Sequence, residues 1–170
     1  MKPDGALVLG VADLLRRPGN ARDEHLEAVL DGLEVTGSRV PDGAPVELDV
    51  RLEALNEGIV AKGAVRVPWV GECRRCLQPV SRHLEAPVLE VFEDKPVDGE
   101  TRQLDHDRVD LEPVARETIL LELPMAPLCK DDCAGLCPDC GVDRNTVDCG
   151  HSQEVVDDRW SALDQLKFED

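Results

Sequence analysis

The sequence has no tyrosine, two tryptophans (Trp69, Trp160) and two phenylalanines (Phe92, Phe168) in 170 residues. A core without aromatic bulk must come from Val, Leu, Ile and Ala, which is thin for a chain of this length and calls for an additional staple. Basic side chains are also scarce: 19 Lys and Arg stand against 36 Asp and Glu, a net charge of -17. Such a chain has little means of displacing counterions from a phosphate backbone. Charge-driven gripping of DNA or RNA is therefore excluded, and any nucleic-acid connection runs through a basic partner protein. Long apolar runs are missing as well: stretches such as 7–12 and 119–121 fall far short of the roughly 20 residues of a helical membrane crossing.

Other absences concern chemistry. The chain has no glycine-rich phosphate loop and no Gly-x-Ser-x-Gly elbow, and its acidic pairs form no catalytic set: Glu47 and Asp49 alternate with apolar residues, and Asp131 and Asp132 sit in a cysteine loop. His25, His83 and His106 have no ligand-like neighbours at useful spacing. The expectation is a protein that is not an enzyme, its acids forming a solvated surface. The start, Met1-Lys2-Pro3-Asp4-Gly5, lacks a basic segment leading into an apolar one, which points to the cytoplasm. Seven cysteines in that reducing compartment favour metal ligation or redox chemistry over a disulfide framework.

Three regions follow from patterning. Residues 1–44 form a lead-in with an apolar patch (Leu7, Val8, Leu9, Val11), a break at Pro18-Gly19-Asn20, a helical turn or its alternative over 24–30, and a short strand over 33–40. Residues 45–125 hold the sharpest signal. Val46, Leu48, Val50, Leu52 and Ala54 alternate with polar residues, Asn56-Glu57-Gly58 makes a turn, and Ile59, Ala61, Gly63, Val65, Val67 and Trp69 share a face. After Cys73-Arg74-Arg75-Cys76 a third run carries Val80, Leu84, Ala86, Val88 and Phe92, with Arg82 as an exception and Pro79 and Pro87 marking an edge strand. Residues 94–109 read as a mobile connection. Asp110 then caps a helix that tolerates Pro113 in its first turn and ends at Pro124. Residues 126–170 are cysteine-rich and close with a short helix over 158–167 bearing Trp160, Leu163 and Leu166. The fold class is α+β: an antiparallel sheet or hairpin core, one or two packed helices, and a zinc-knuckle C-terminal segment.

The cysteine spacings are Cys73-x2-Cys76, Cys129-x3-Cys133-x3-Cys137-x2-Cys140 and Cys149-x-His151. His151 turns seven thiols into eight ligands, enough for two tetrahedral sites. A Cys-x-x-Cys turn lets two sulfurs face one point, and Gly141 after Cys140 suits the positive φ such a knuckle needs. One site is assigned to Cys137, Cys140, Cys149 and His151, and a second to Cys73, Cys76, Cys129 and Cys133. The latter would tie the hairpin tip to the loop after the helix. Grouping Cys133, Cys137, Cys140 and Cys149 around one metal is an open alternative. Structural zinc, one or two ions, contributes on the order of 10 kcal/mol in small modules.

Four motifs in order, Cys73-Arg74-Arg75-Cys76-Leu77 with Pro79, the run from Glu117 to Pro124, Cys133 through Gly141, and Asp158-Arg159-Trp160-Ser161-Ala162-Leu163, resemble the YceD family of large ribosomal RNA subunit accumulation proteins. Where many members end the cluster with Cys-x-Cys this chain has Cys149-Gly150-His151, and of the usual Asn-Leu-Asn only Asn145 remains. The resemblance implies a non-enzymatic role in synthesis, processing or stability of the large-subunit ribosomal RNA. It also implies a partner, a basic zinc-ribbon protein of the large subunit, with the RNA contacted mainly indirectly. An acidic chain suits that partner. A thiol redox switch or zinc-dependent chaperone is the alternative, and a zinc hydrolase with an open coordination position a third reading.

Overall fold

The computed structural model describes residues 5–151. The frame is a run of long antiparallel strands: β2 (Ala21–Val29), β5 (Pro45–Ala54), β6 (Gly58–Glu72) and β7 (Pro79–Glu93) lie side by side in that order. Between them in sequence come β3 (Glu34–Val35) and β4 (Ser38–Arg39), and before them β1 (Val8–Gly10). β8 (Arg102–Gln103) pairs in parallel with the end of β7, and β9 (Arg108–Asp110) closes a small ladder with β1. The helix α1 (Glu112–Glu122) packs over β6 and β7. Among the described residues it is the one helix, and none is long and apolar enough to cross a membrane. The expected second helix over 158–167 lies outside them.

Strand periodicity dictates which side is dry. Val46, Leu48, Val50, Leu52 and Ala54 of β5, Ile59, Ala61, Val65, Val67 and Trp69 of β6, and Val80, Ala86, Val88 and Phe92 of β7 all point to one face. Val114, Ala115 and Ile119 of α1 and Leu7, Val11 and Leu14 of the N-terminal segment cover that face. The lead-in is thus woven into the core. Residues 24–30, for which a helical turn was one expectation, are mostly in β2, because Ala21 to Val29 pair with Glu53 to Pro45 and local helix propensity yields to the ladder. The polar run 94–109 is held rather than loose: it contains β8, the start of β9 and the buried Leu104.

Ladder geometry explains the prolines. Cys73 N–H donates to the Gln78 carbonyl (2.8 Å), so bonded pairs recur at Gly71 and Val80, Trp69 and Arg82, and onward every second residue. Pro79 and Pro87 then face away from β6, where a missing N–H breaks no bond. Pro68 sits between Arg66, the last residue paired with β5, and Val70, which pairs with β4. At the start of α1, Leu111 holds the cap position and the Asp110 carboxylate accepts the Glu112 N–H (3.1 Å). Pro113 lies within the first turn.

The chain leaving α1 turns back over the end of the sheet by an unusually close passage. A Cβ on Gly71 would lie 2.3 Å from the Gly37 carbonyl oxygen, and one on Gly37, whose φ is +98°, would lie 2.7 Å from the Met125 carbonyl oxygen. Ser38, buried beside them, donates its hydroxyl to the Pro124 carbonyl (2.8 Å). Gly71→Ala should therefore lower the urea-unfolding free energy by about 2–3 kcal/mol, whereas Gly10→Ala, with open space around it, should change it by less than about 0.5 kcal/mol.

Candidate metal centre

Two knuckles with the same backbone design present the cysteines. At the β6–β7 tip the Cys73 N–H donates to Gln78 O and the Leu77 N–H to Cys73 O; in the second, Cys137 N–H donates to Val142 O and Gly141 N–H to Cys137 O, all at 2.8 Å. The residue after the second cysteine is left-handed in both, Leu77 at φ +60° and Gly141 at φ +73°. Glycine adopts that region freely, whereas leucine is strained there. The Gln78 and Val142 backbone N–H groups favour the ionised forms of Cys76 and Cys140, so each turn sets a backbone donor beside its second cysteine.

Tertiary packing supplies the other halves. The Cys73, Cys76, Cys129 and Cys133 sulfurs lie within 4.8 Å of one another, as do the ligand atoms of Cys137, Cys140, Cys149 and His151. Cys133 thus lies with the tip cysteines and not with Cys137. Cys73 and Cys133 sulfurs are 3.8 Å apart, Cys76 and Cys129 3.6 Å, and Cys137 Sγ and His151 Nδ1 3.7 Å. A tetrahedron with metal–sulfur bonds near 2.3 Å has edges of about 3.8 Å, and a sulfur–nitrogen edge of about 3.6 Å. These separations are far too long for disulfides, and all seven cysteines are free. Both donor sets can hold a tetrahedral metal ion.

Side chains outside the sets lock the tip onto the later loop. Arg75 donates from Nη1 to the Cys133 carbonyl (2.9 Å) and the Asp131 carbonyl (3.3 Å), while its own carbonyl accepts the Leu136 N–H (3.0 Å). Arg82, the exception in the β7 pattern, donates to the Leu128 and Cys129 carbonyls at 3.2 and 2.8 Å. Arg74 donates its backbone N–H to Pro127 O. Asn145 reaches from the second cluster to the first: its Nδ2 donates to Cys133 Sγ (3.3 Å) and its Oδ1 accepts the Ala134 N–H (2.9 Å). Sequence reasoning did not assign Asn145 a contact; its survival as the last residue of a degraded Asn-Leu-Asn was the available signal.

The four thiols of the first set differ in protonation. Burial opposes ionisation of Cys73, but the Cys129, Cys76 and Arg75 N–H donors outweigh it and lower its pKa to about 6. Burial likewise opposes Cys133, and the Asn145 amide with the Gly135 N–H brings it down. Cys129 goes the other way, pushed up to about 12 by burial and by its three neighbouring thiols. For Cys76 the Gln78 donor is overcome by burial and Cys73, and the thiol is raised. Like charges in one space cannot all form; a divalent cation would let all four sulfurs ionise. In the second set the His151 backbone N–H, then its ring, lower Cys149 to about 6, and Cys149 in turn raises His151.

The two sets differ in access. In the first set Cys73, Cys76 and Cys133 are buried and Cys129 half-buried, whereas in the second Cys137 alone is buried, Cys149 is half-buried, and Cys140 and His151 are exposed. The first is part of the core; the second is a surface module.

A family model described as "Large ribosomal RNA subunit accumulation protein YceD" matches residues 61–167. Uncharacterized proteins of Mycobacterium tuberculosis and Mycobacterium bovis are each 36% identical over 170 residues, covering 94% of this chain and 81% of theirs. The uncharacterized protein YlbN of Bacillus subtilis is 27% identical over 157 residues, covering 87% of this chain and 88% of its own. No solved structure matches.

In chelator-treated protein at neutral pH, iodoacetamide should alkylate Cys149 well before Cys129, as read by mass spectrometry of timed digests. Because Cys149 is lowered to about 6, its rate should stay level down to that pH and then fall about tenfold per pH unit as the thiolate is protonated.

Proposed function

The chain belongs to the YceD family, and on that premise we propose that it supports accumulation of the large-subunit ribosomal RNA as a non-enzymatic, zinc-bearing factor acting through a basic ribosomal protein. The observation that carries the reading is the family match over residues 61–167. The net charge of -17 supports a basic protein, rather than RNA itself, as the direct contact. Electrostatic complementarity of that kind speeds encounter and masks a cationic segment until it reaches its RNA site. The resemblance names a zinc-ribbon protein of the large subunit as the candidate.

Zinc is proposed for both donor sets, Cys73, Cys76, Cys129 and Cys133, and Cys137, Cys140, Cys149 and His151. Three or four thiolates with at most one imidazole suit zinc, and four protein ligands leave no open position for a substrate. The ion in the first set would join the sheet tip to the segment after α1, and in the second would hold the surface loops together.

Elemental analysis should find two zinc ions per chain. Cys76→Ser should remove one ion and lower the melting temperature by about 10 °C or more, since it leaves a broken site inside the core. Cys140→Ser should remove the other ion with a smaller shift. Absence of zinc would overturn the metal assignment.

For the cellular role, deletion of the gene should lower the ratio of large- to small-subunit RNA, and capture of the tagged chain should recover a basic large-subunit protein. An unchanged ratio would overturn the reading. One observation favours a redox switch, the exposure of Cys140 beside Cys149. Peroxide at low concentration would then release one zinc ion reversibly and change partner capture in parallel.

A further inference from the structure

The outer strand β2 has an edge without a partner among the described residues. The register identifies which groups it offers. Ala54 N–H donates to Asn20 O at one end of the β2–β5 ladder, so Arg22, Glu24, Leu26 and Ala28 face β5, and Ala21, Asp23, His25, Glu27 and Val29 turn their N–H and C=O outward. The β5–β6 ladder agrees: Leu55 N–H donates to Gly58 O, which leaves the even residues of β5 to bond β2. β2 is nine residues long without proline, so every outward donor is present; its acidic residues Asp23, Glu24 and Glu27 guard the edge against another acidic strand but not against a basic one. The opposite edge, β7, is blunted, because Pro79 and Pro87 both turn toward it and carry no donor.

The surface beside the open edge is electrostatically unbalanced. Glu27 stands directly opposite Glu47 across the ladder, an arrangement that costs stability. Among the described residues neither has an ion pair. The nearby cations are engaged elsewhere: Arg66, across from Glu47, pairs with Asp49 and Glu85, and Arg51 pairs with Asp23. The same two glutamates, after Asp49, raise the pKa of His25 on this face. On the inner side of β2, Leu26 is only partly buried against the core, so an added strand would find apolar cover there.

We propose that the β2 edge receives an extended, Lys- or Arg-bearing segment of a partner protein as an added strand, with its cationic side chains meeting Glu27 and Glu47 and its apolar ones covering Leu26. This rests on the ribosomal reading above for the partner's identity, and deepens it by naming the surface and the mode. Main-chain hydrogen bonds would provide affinity and alternating side chains selectivity. A second copy of this chain fits poorly, since pairing β2 with itself would add Asp23, Glu24 and Glu27 to an edge already crowded with like charge.

The test uses the full chain, zinc-loaded and isotope-labelled, and a peptide of alternating Lys and Val about twelve residues long, with an alternating Glu–Val peptide as control. Amide exchange at Asp23, His25 and Glu27 should slow about tenfold with the Lys–Val peptide only. Glu27→Pro, which deletes an outward donor, and Glu47→Lys, which reverses a charge while keeping every donor, should each weaken binding about tenfold. Both should leave zinc content and melting temperature near wild type. Equal slowing by both peptides, no slowing on β2, or slowing that grows with protein concentration alone would overturn the proposal. In cells, both variants should lower the large-subunit RNA ratio. Normal RNA with the variants but not with the deletion would sink the docking surface and leave the ribosomal role. Normal RNA with the deletion, alongside β2 protection in vitro, would sink the ribosomal role and leave the surface.

Discussion

Four sulfurs brought to one point from opposite ends of the fold set the terms for the rest of the molecule. Cys73 and Cys133 are 60 residues apart in sequence and Cys76 and Cys129 53, yet their sulfurs sit 3.8 and 3.6 Å apart. Such an array is unfavourable both as four thiolates, which repel, and as four thiols, which waste the N–H donors aimed at them. The opposed shifts of its members, Cys73 and Cys133 down and Cys76 and Cys129 up, express that conflict, and a divalent cation held by the four would resolve it. The neighbouring anomalies serve the same convergence. Gly37 and Gly71 let the post-helix segment pass, Ser38 holds its Pro124 carbonyl, and Arg75 and Arg82 bind the carbonyls of the loop that carries Cys129 and Cys133.

A core with few aromatics explains why so much depends on this point. Phe92 and Trp69 are the large rings buried in the sheet; the remainder is aliphatic and contributes less per residue. The buried cysteines Cys73, Cys76 and Cys133 belong to the same continuous cluster as Val67, Val80 and Ile119. The donor set is therefore part of the packing, whereas Cys137, Cys140, Cys149 and His151 form a more exposed unit tied to it through Asn145.

Charge is distributed by the same economy of faces. Strand alternation sends every ionisable group of β5 and β6 to the outer face, where cross-strand pairs such as Asp23 with Arg51 and Asp49 with Arg66 neutralise part of the acid excess. Exposed pairs of this type contribute little to stability. Their consequence is spatial: by engaging the cations, they leave Glu27 and Glu47 as an uncompensated negative spot beside an open backbone edge.

The sequence by itself determined the three central strands, because an alternation that buries Val46 through Ala54, Ile59 through Trp69 and Val80 through Phe92 can be satisfied by one sheet face. It also determined α1, through a stripe bounded by Asp110 and Pro124, and the knuckle turns, whose two-residue spacing and Gly141 are local requirements. The family, too, was legible in short motifs. Tertiary structure decided what lacks a local cause. β2 is a strand because β5 offers it a ladder, residues 102–110 are ordered because β7 and β1 pair with them, and Cys133 joins Cys73 rather than Cys137. That last choice turns on the path of the chain past Gly71 and on the carbonyls gripped by Arg75 and Arg82. No spacing rule contains those distances, because they exist only once residues some fifty to sixty positions apart meet.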